Sequence, residues 1–388
     1  VPTDISLAWE SDLDGVFSTT ASDSTGKIEF FYNRLLTGDH TIEVTATDTD
    51  GLYSVVSIPI TVNGLPTAPG VDITPTGPKT EQDLVATIVT PSVDPEGDKI
   101  TYSYAWFKDG KLSSASTTDT VLAADTAKGD VWSVEVTPND GTGDGGVGNA
   151  KTTILNTEPT VTSVVISPST GVTTSSILKC AGTATDVDGD SVSFKYRWLL
   201  ASGTVLGLGD TLRLNPKDAS PGDTVSCEAT ATDSSGDSSL DTALVTVDNT
   251  DPKVTSVNIS APTAYDTSAT LTCTATASDP DGGTPTLSYE WTDDLGTVLG
   301  SKDVLILSSS IVQPGDGVTC TVTATDTDGG TGSNTASIQI INTDPVVTSV
   351  TISPSTGVTT NAKLSCTGTA TDPDGGTPKL SYNWTDGS

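Results

Sequence analysis

Methionine is absent from all 388 residues, and histidine occurs once, at His40. Val1 is therefore not an initiator, and the chain is expected to be processed or to be a window of something longer. A single histidine excludes a histidine-based mechanism or zinc site repeated along the chain. His40, in Thr37-Gly38-Asp39-His40, is expected to be a surface turn residue. Basic residues are scarce: 17 Lys and Arg stand against 50 Asp and Glu, a formal net charge of −33. Such a chain repels polyanions, which excludes nucleic acid and anionic membrane surfaces as partners. No apolar run approaches the roughly 18 residues of a membrane span, and no charged-then-apolar leader opens the sequence. There is no glycine-rich phosphate loop opening a helix and no Gly-x-Ser-x-Gly. Paired carboxylates, which a glycosidase needs, recur along the whole chain rather than marking one cleft. An enzyme is not expected.

What the chain has in abundance is Thr, Ser, Val, Asp and Gly, the chemistry of strands and turns. At about 100 residues per all-β domain, the length allows about four domains. Tryptophans at Trp9, Trp106, Trp198, Trp291 and Trp384 are spaced by 97, 92, 93 and 93 residues. Asn-x-x-Pro recurs every 93 residues, beginning at Asn63, Asn156, Asn249 and Asn342. Two independent markers with one period establish an internal repeat. Within residues 157–249, period-2 segments at 161–167, 177–185, 191–200, 204–206, 211–214, 224–232 and 243–248 are expected to be strands. Seven short strands in about 93 residues suit an all-β, immunoglobulin-like β-sandwich. The chain should be an elongated array of such repeats. Residues 1–64 form a partial repeat (third to seventh strands), 65–157, 158–250 and 251–343 form whole repeats, and 344–388 a partial one (first to third strands).

The cysteines share this phase. Cys180 precedes Trp198 by 18 residues and Cys227 by 47, and Cys273, Trp291 and Cys320 repeat both intervals. This resembles the immunoglobulin fold, in which a second-strand cysteine bonds a sixth-strand cysteine and a third-strand tryptophan packs on the bridge. The resemblance implies disulfides Cys180–Cys227 and Cys273–Cys320, hence an oxidising, extracellular or cell-surface setting. Cys366 precedes Trp384 by the same 18 residues, so its partner is expected beyond Ser388, a free thiol being the alternative. The repeat at 65–157 has no cysteine, and Ile88 and Val134 are expected at the two positions. The tyrosine that antibody domains carry two residues before the second cysteine is replaced by Trp132, Val225 and Val318. The two end pieces are complementary in strand content. An arbitrary cut of a larger protein accounts for this, and so does head-to-tail self-assembly.

Acidic residues cluster after the second strand, in Asp94-Pro-Glu96-Gly-Asp98, Asp186-Val-Asp188-Gly-Asp190, Asp279-Pro-Asp281-Gly and Asp372-Pro-Asp374-Gly. They cluster again after the sixth strand, at Asp48-Thr-Asp50, Asp140, Asp233 and Asp326-Thr-Asp328. Sandwich topology puts both loops at the end where the preceding linker arrives. Linker residues Asn156, Glu158, Asn249, Asp251, Asn342 and Asp344 should therefore meet them. With the Tyr-x-Trp of the third strand, these motifs look like the PKD-like and cadherin-like repeats of prokaryotic surface proteins. That resemblance implies interdomain Ca²⁺ held by these linker residues with Asp186, Asp188, Asp190, Asp233, Asp279, Asp281, Asp326, Asp328, Asp372 and Asp374. The first junction, Asn63-Gly-Leu-Pro66, has no linker acid and is the weakest candidate. The competing reading is turn chemistry alone, since Asp-x-Asp-Gly also closes a turn without any ion. The expected function is that of a stalk, spacer or filament segment of a surface protein with a possible cell-surface partner. The alternatives are an adhesin or other binding module, and the accessory repeats of a secreted enzyme.

Overall fold

The structure is a computed structural model that describes residues 5–386; residues 1–4 and 387–388, the ends of the two partial repeats, lie outside the described residues. The chain divides into two compact units. One comprises the described part of Val1–Thr160 with Ala184–Ser193 and Thr232–Ser239. The other comprises Val161–Thr183, Phe194–Ala231 and the described part of Leu240–Ser388.

Among the described residues the regular structure is all strand apart from one 3₁₀ turn at Ala123–Asp125, and the fourth repeat shows why. Its strands are β1 (Lys253–Ser260), β2 (Thr270–Ser278), β3 (Thr286–Asp293), β4 (Val298–Gly300), β5 (Val304–Ile306), β6 (Gly317–Thr325) and β7 (Thr331–Gln339). In β6, Val318, Cys320, Val322 and Ala324 are fully buried while the intervening threonines lie half-buried on the other face. Alternation of this kind puts one face on a core and the other toward water. The sheets are β1-β2-β5 and β4-β3-β6-β7, and both orders recur in the second and third repeats. Between them lie Leu271, Trp291, Leu305 and the Cys273–Cys320 disulfide, with Cα atoms 6.6 Å apart. Cys180–Cys227 closes the third repeat in the same way, at 6.4 Å. Three buried indoles have their donor satisfied by the chain turning past them: Trp106, Trp198 and Trp291 donate to the carbonyls of Thr118, Gly209 and Lys302 at 2.9, 2.9 and 2.7 Å, whereas Trp132 Nε1 is buried without a partner.

Four expectations change. In the second repeat Ala86, not Ile88, stands at the second-strand cysteine position. Ile73 faces Ala86 across the first two strands as Ile259 faces Cys273. Ala86 precedes Trp106 by 20 residues where each cysteine precedes its tryptophan by 18, so counting 18 back from the tryptophan stops two residues short. Val134 does pair with Trp106 as Cys320 pairs with Trp291. Trp132 belongs to the same core and packs edge-on to Trp106 at 6.3 Å. The seventh strand of the third repeat begins at Ser238, five residues ahead of the expected start.

The third change is at His40, which is buried rather than on the surface. It lies in the strand Gly38–Thr47, with Nε2 2.6 Å from the Leu36 carbonyl and Nδ1 2.6 Å from Ser11 Oγ. A carbonyl only accepts, so Nε2 is the donor. The fourth is in the last piece, where Val346–Ser353 pairs with Ser365–Thr371 but residues 377–386 form no strand. A third strand pairs with a sixth and a fourth in the complete repeats, whereas residues 377–386 belong to no sheet. Trp384 is accordingly half exposed, at 52%.

Candidate cation sites at the repeat junctions

Each loop between the second and third strands is a tight turn closed by its first aspartate. Asp186 Oδ1 accepts the N–H groups of Asp188 and Asp190 at 2.8 and 3.2 Å. Asp94 does the same for Glu96 and Asp98, Asp279 for Asp281 and Asp372 for Asp374. Gly97, Gly189, Gly282 and Gly375 supply the positive φ these turns require. Turn closure occupies only one oxygen of each aspartate.

The linker is tied to both loops by bonds of constant sequence separation. The amides of Asn63, Asn156 and Asn249 donate to Asp140, Asp233 and Asp326, 77 residues on, at 3.0, 2.8 and 3.0 Å. These donors, with the backbone N–H groups of the loop, hold all three carboxyls below their ordinary pKa. The following backbone N–H, of Gly64, Thr157, Thr250 or Thr343, donates to Glu96, Asp188, Asp281 or Asp374.

The junctions then diverge. At the third, Thr174 Oγ donates to the second oxygen of Asp281 at 2.6 Å. At the fourth, Thr267 Oγ does so to Asp374 at 2.7 Å. Both aspartates are buried with both oxygens committed to protein donors, and Asp374 is held below its ordinary pKa first by Thr343 N–H and then by Thr267. Each of these threonines pins one repeat to the next. The second junction has the same positions: Pro78, Val172 and Tyr265 accept equivalent backbone bonds two residues before Thr80, Thr174 and Thr267. There the pin is open, and Thr80 Oγ1 and Asp188 Oδ1 are both buried without partners.

Asp186 Oδ2 and Asn156 Oδ1 at this junction are also buried and unpartnered. Asp186, Asp188 and Asp190 each offer an oxygen within 4.8 Å of the others, the one such acidic trio among the described residues. Asp237 accepts a second bond from the Asn156 amide at 2.7 Å. The donor set is all oxygen, which suits a hard divalent cation, and carboxylate oxygens in this number repel one another without a counter-charge.

The first junction leaves Asp94 Oδ2 and Glu96 Oε1 buried and unpartnered. The third leaves Asn249 Oδ1, and there Asp251 Oδ1 and Asp326 Oδ2 both lie 2.5 Å from the point where a Cβ on Gly330 would stand. Glu158 is ion-paired with Lys79, which lowers its pKa. Asp328, Asn342 and Asp344 are exposed, and the Asn342 amide donates to the Thr343 carbonyl.

The sequence reading missed the threonine pins, whose only signal is a threonine in constant phase before the second strand. It also missed Lys128, whose ammonium lies 2.6 Å from Asp190 Oδ2 and contacts Ser235 Oγ.

No protein-family model matches the sequence, and no curated protein matches it. By structure the chain is similar to immunoglobulin domains 1–5 of Sidekick-1, at 17% identity over 95% of this chain and 78% of that one, with a TM-score of 0.26. It is similar to the tetra-tandem repeat in the extending region of a large adhesion protein, at 17% identity over 87% and 92%, TM-score 0.32. It is also similar to extracellular cadherin domains 1–5 of protocadherin gamma B2, at 17% identity over 88% and 74%, TM-score 0.28. The sandwich architecture stands on the sheets, cores and disulfides described above.

Proposed function

We propose that this chain is a structural spacer or stalk segment of an extracellular or cell-surface protein, with Ca²⁺ stiffening its second junction. The observation that carries the calcium assignment is the set of buried, unpartnered oxygens there, Asp186 Oδ2, Asp188 Oδ1 and Asn156 Oδ1, around the trio of carboxylates. Buried polar oxygens cost free energy when unbonded, and a divalent ion bonded to all of them removes that cost. The two disulfides support an oxidising compartment. The same linker and loop bonds recurring at successive junctions support a mechanical role.

The test is thermal unfolding of the full chain in 2 mM CaCl₂ and in EDTA, about 4 kcal/mol of linkage being available when a ligand stands near a thousand times its Kd. A shift of several degrees is expected, and Asp188→Asn should abolish much of it. Identical unfolding curves in the two buffers rule out the calcium assignment.

A further inference from the structure

We propose that Lys128 is a tethered cation that competes with the divalent ion for Asp190 and so sets the affinity of the second junction; this rests on the calcium assignment above. Asp190 is the one member of the trio whose oxygens are both partnered. Oδ2 accepts from Lys128 Nζ at 2.6 Å and from Ser235 Oγ at 3.2 Å, and Oδ1 accepts from Ser234 Oγ at 3.0 Å. Asp186 and Asp188 each keep one buried oxygen free. A divalent ion entering the trio must share Asp190 with the ammonium or displace it.

The arrangement belongs to this junction alone among those described. Gly129, Gly222 and Gly315 donate equivalent bonds to Ile154, Val247 and Ile340, which puts Pro221 and Pro314 at the position of Lys128 in the next two repeats. Gly283 and Gly376 stand where Asp190 does, two residues after the second loop aspartate. The lysine and its aspartate are therefore present together at the open junction, and both are replaced where a threonine pin closes the junction. At the second junction the Thr80 hydroxyl is unpaired, and the Lys128–Asp190 ion pair is present in addition. A second lysine, Lys79, borders the same loops through its pair with Glu158.

Repulsion between a unit charge and a divalent ion about 6 Å apart in a water-like dielectric weakens binding roughly tenfold. The experiment is calorimetric titration of the full chain with CaCl₂, for the native sequence and for Lys128→Gln, Lys128→Arg and Asp188→Asn. The relevant signal is the binding component that Asp188→Asn removes. Lys128→Gln should tighten that component about tenfold, and Lys128→Arg, which keeps the charge, should leave it within about threefold. An Asp188-dependent component that Lys128→Gln leaves unchanged or weakens overturns the competition while leaving the calcium assignment standing. Absence of any Asp188-dependent component in both the native chain and Lys128→Gln overturns the calcium assignment itself. A component that emerges only in Lys128→Gln upholds the competition.

Discussion

Thr174→Val removes one hydroxyl and keeps the side-chain volume, so it isolates the pin at the third junction. The lost bond, 2.6 Å long, ends on a carboxylate that is 8% exposed. A hydrogen bond to a buried charged group contributes about 1.5–3 kcal/mol, and its loss leaves Asp281 Oδ1 without a partner. The other oxygen of Asp281 accepts the Thr250 N–H at 2.5 Å. Loosening Asp281 should therefore free that linker amide, and the same energy corresponds to roughly 10- to 100-fold faster amide exchange. Hydrogen-exchange mass spectrometry of a peptide spanning residues 248–253 reads this directly. The matched control is Thr80→Val at the second junction. Its hydroxyl has no partner to lose, so exchange at Thr157 should change by no more than about twofold, as for a substitution that breaks nothing. Equal acceleration at both junctions, or at neither, would refute the pin.

Reduction with a phosphine should destabilise the third and fourth repeats by about 4 kcal/mol each, from loop closure over a separation of 47 residues. The second repeat should be unmoved, which peptide-resolved denaturation would show. Trp132→Ala should cost that repeat about 3–5 kcal/mol, because Trp132 is fully buried in its core against Trp106; a loss below about 1 kcal/mol in urea denaturation contradicts that packing role. The junction carboxyls Asp140, Asp233 and Asp326 have pKa values below the ordinary 3.8. A depressed folded value contributes stability that is fully present above the unfolded pKa and is lost as pH falls through the folded one. Linker amide protection should therefore hold at pH 5 and above and decline below about pH 4, and Asn249→Ala should weaken that dependence at Asp326 alone.

Period and fold were legible in the sequence because each follows from local pattern repeated in phase, and the disulfides were implied by the resemblance of the Cys–Trp–Cys spacing to the immunoglobulin fold. Alternation in Gly317–Thr325 defines a strand with one buried face. Asp-x-Asp-Gly likewise announced its turn, since the first aspartate bonds its own loop. What the chain alone could not decide is which oxygens those turns leave free. Asp188, Asp281 and Asp374 occupy the same place in the same motif, yet two are closed by threonines 107 residues away and one is open. The same limit hid the burial of His40, whose partners Ser11 and Leu36 come from outside its own strand. Local sequence determined the loops and their charge. Contacts between residues distant in the chain decided which junction keeps unbonded oxygens, because a hydrogen bond is satisfied by whatever donor the fold brings within about 3 Å.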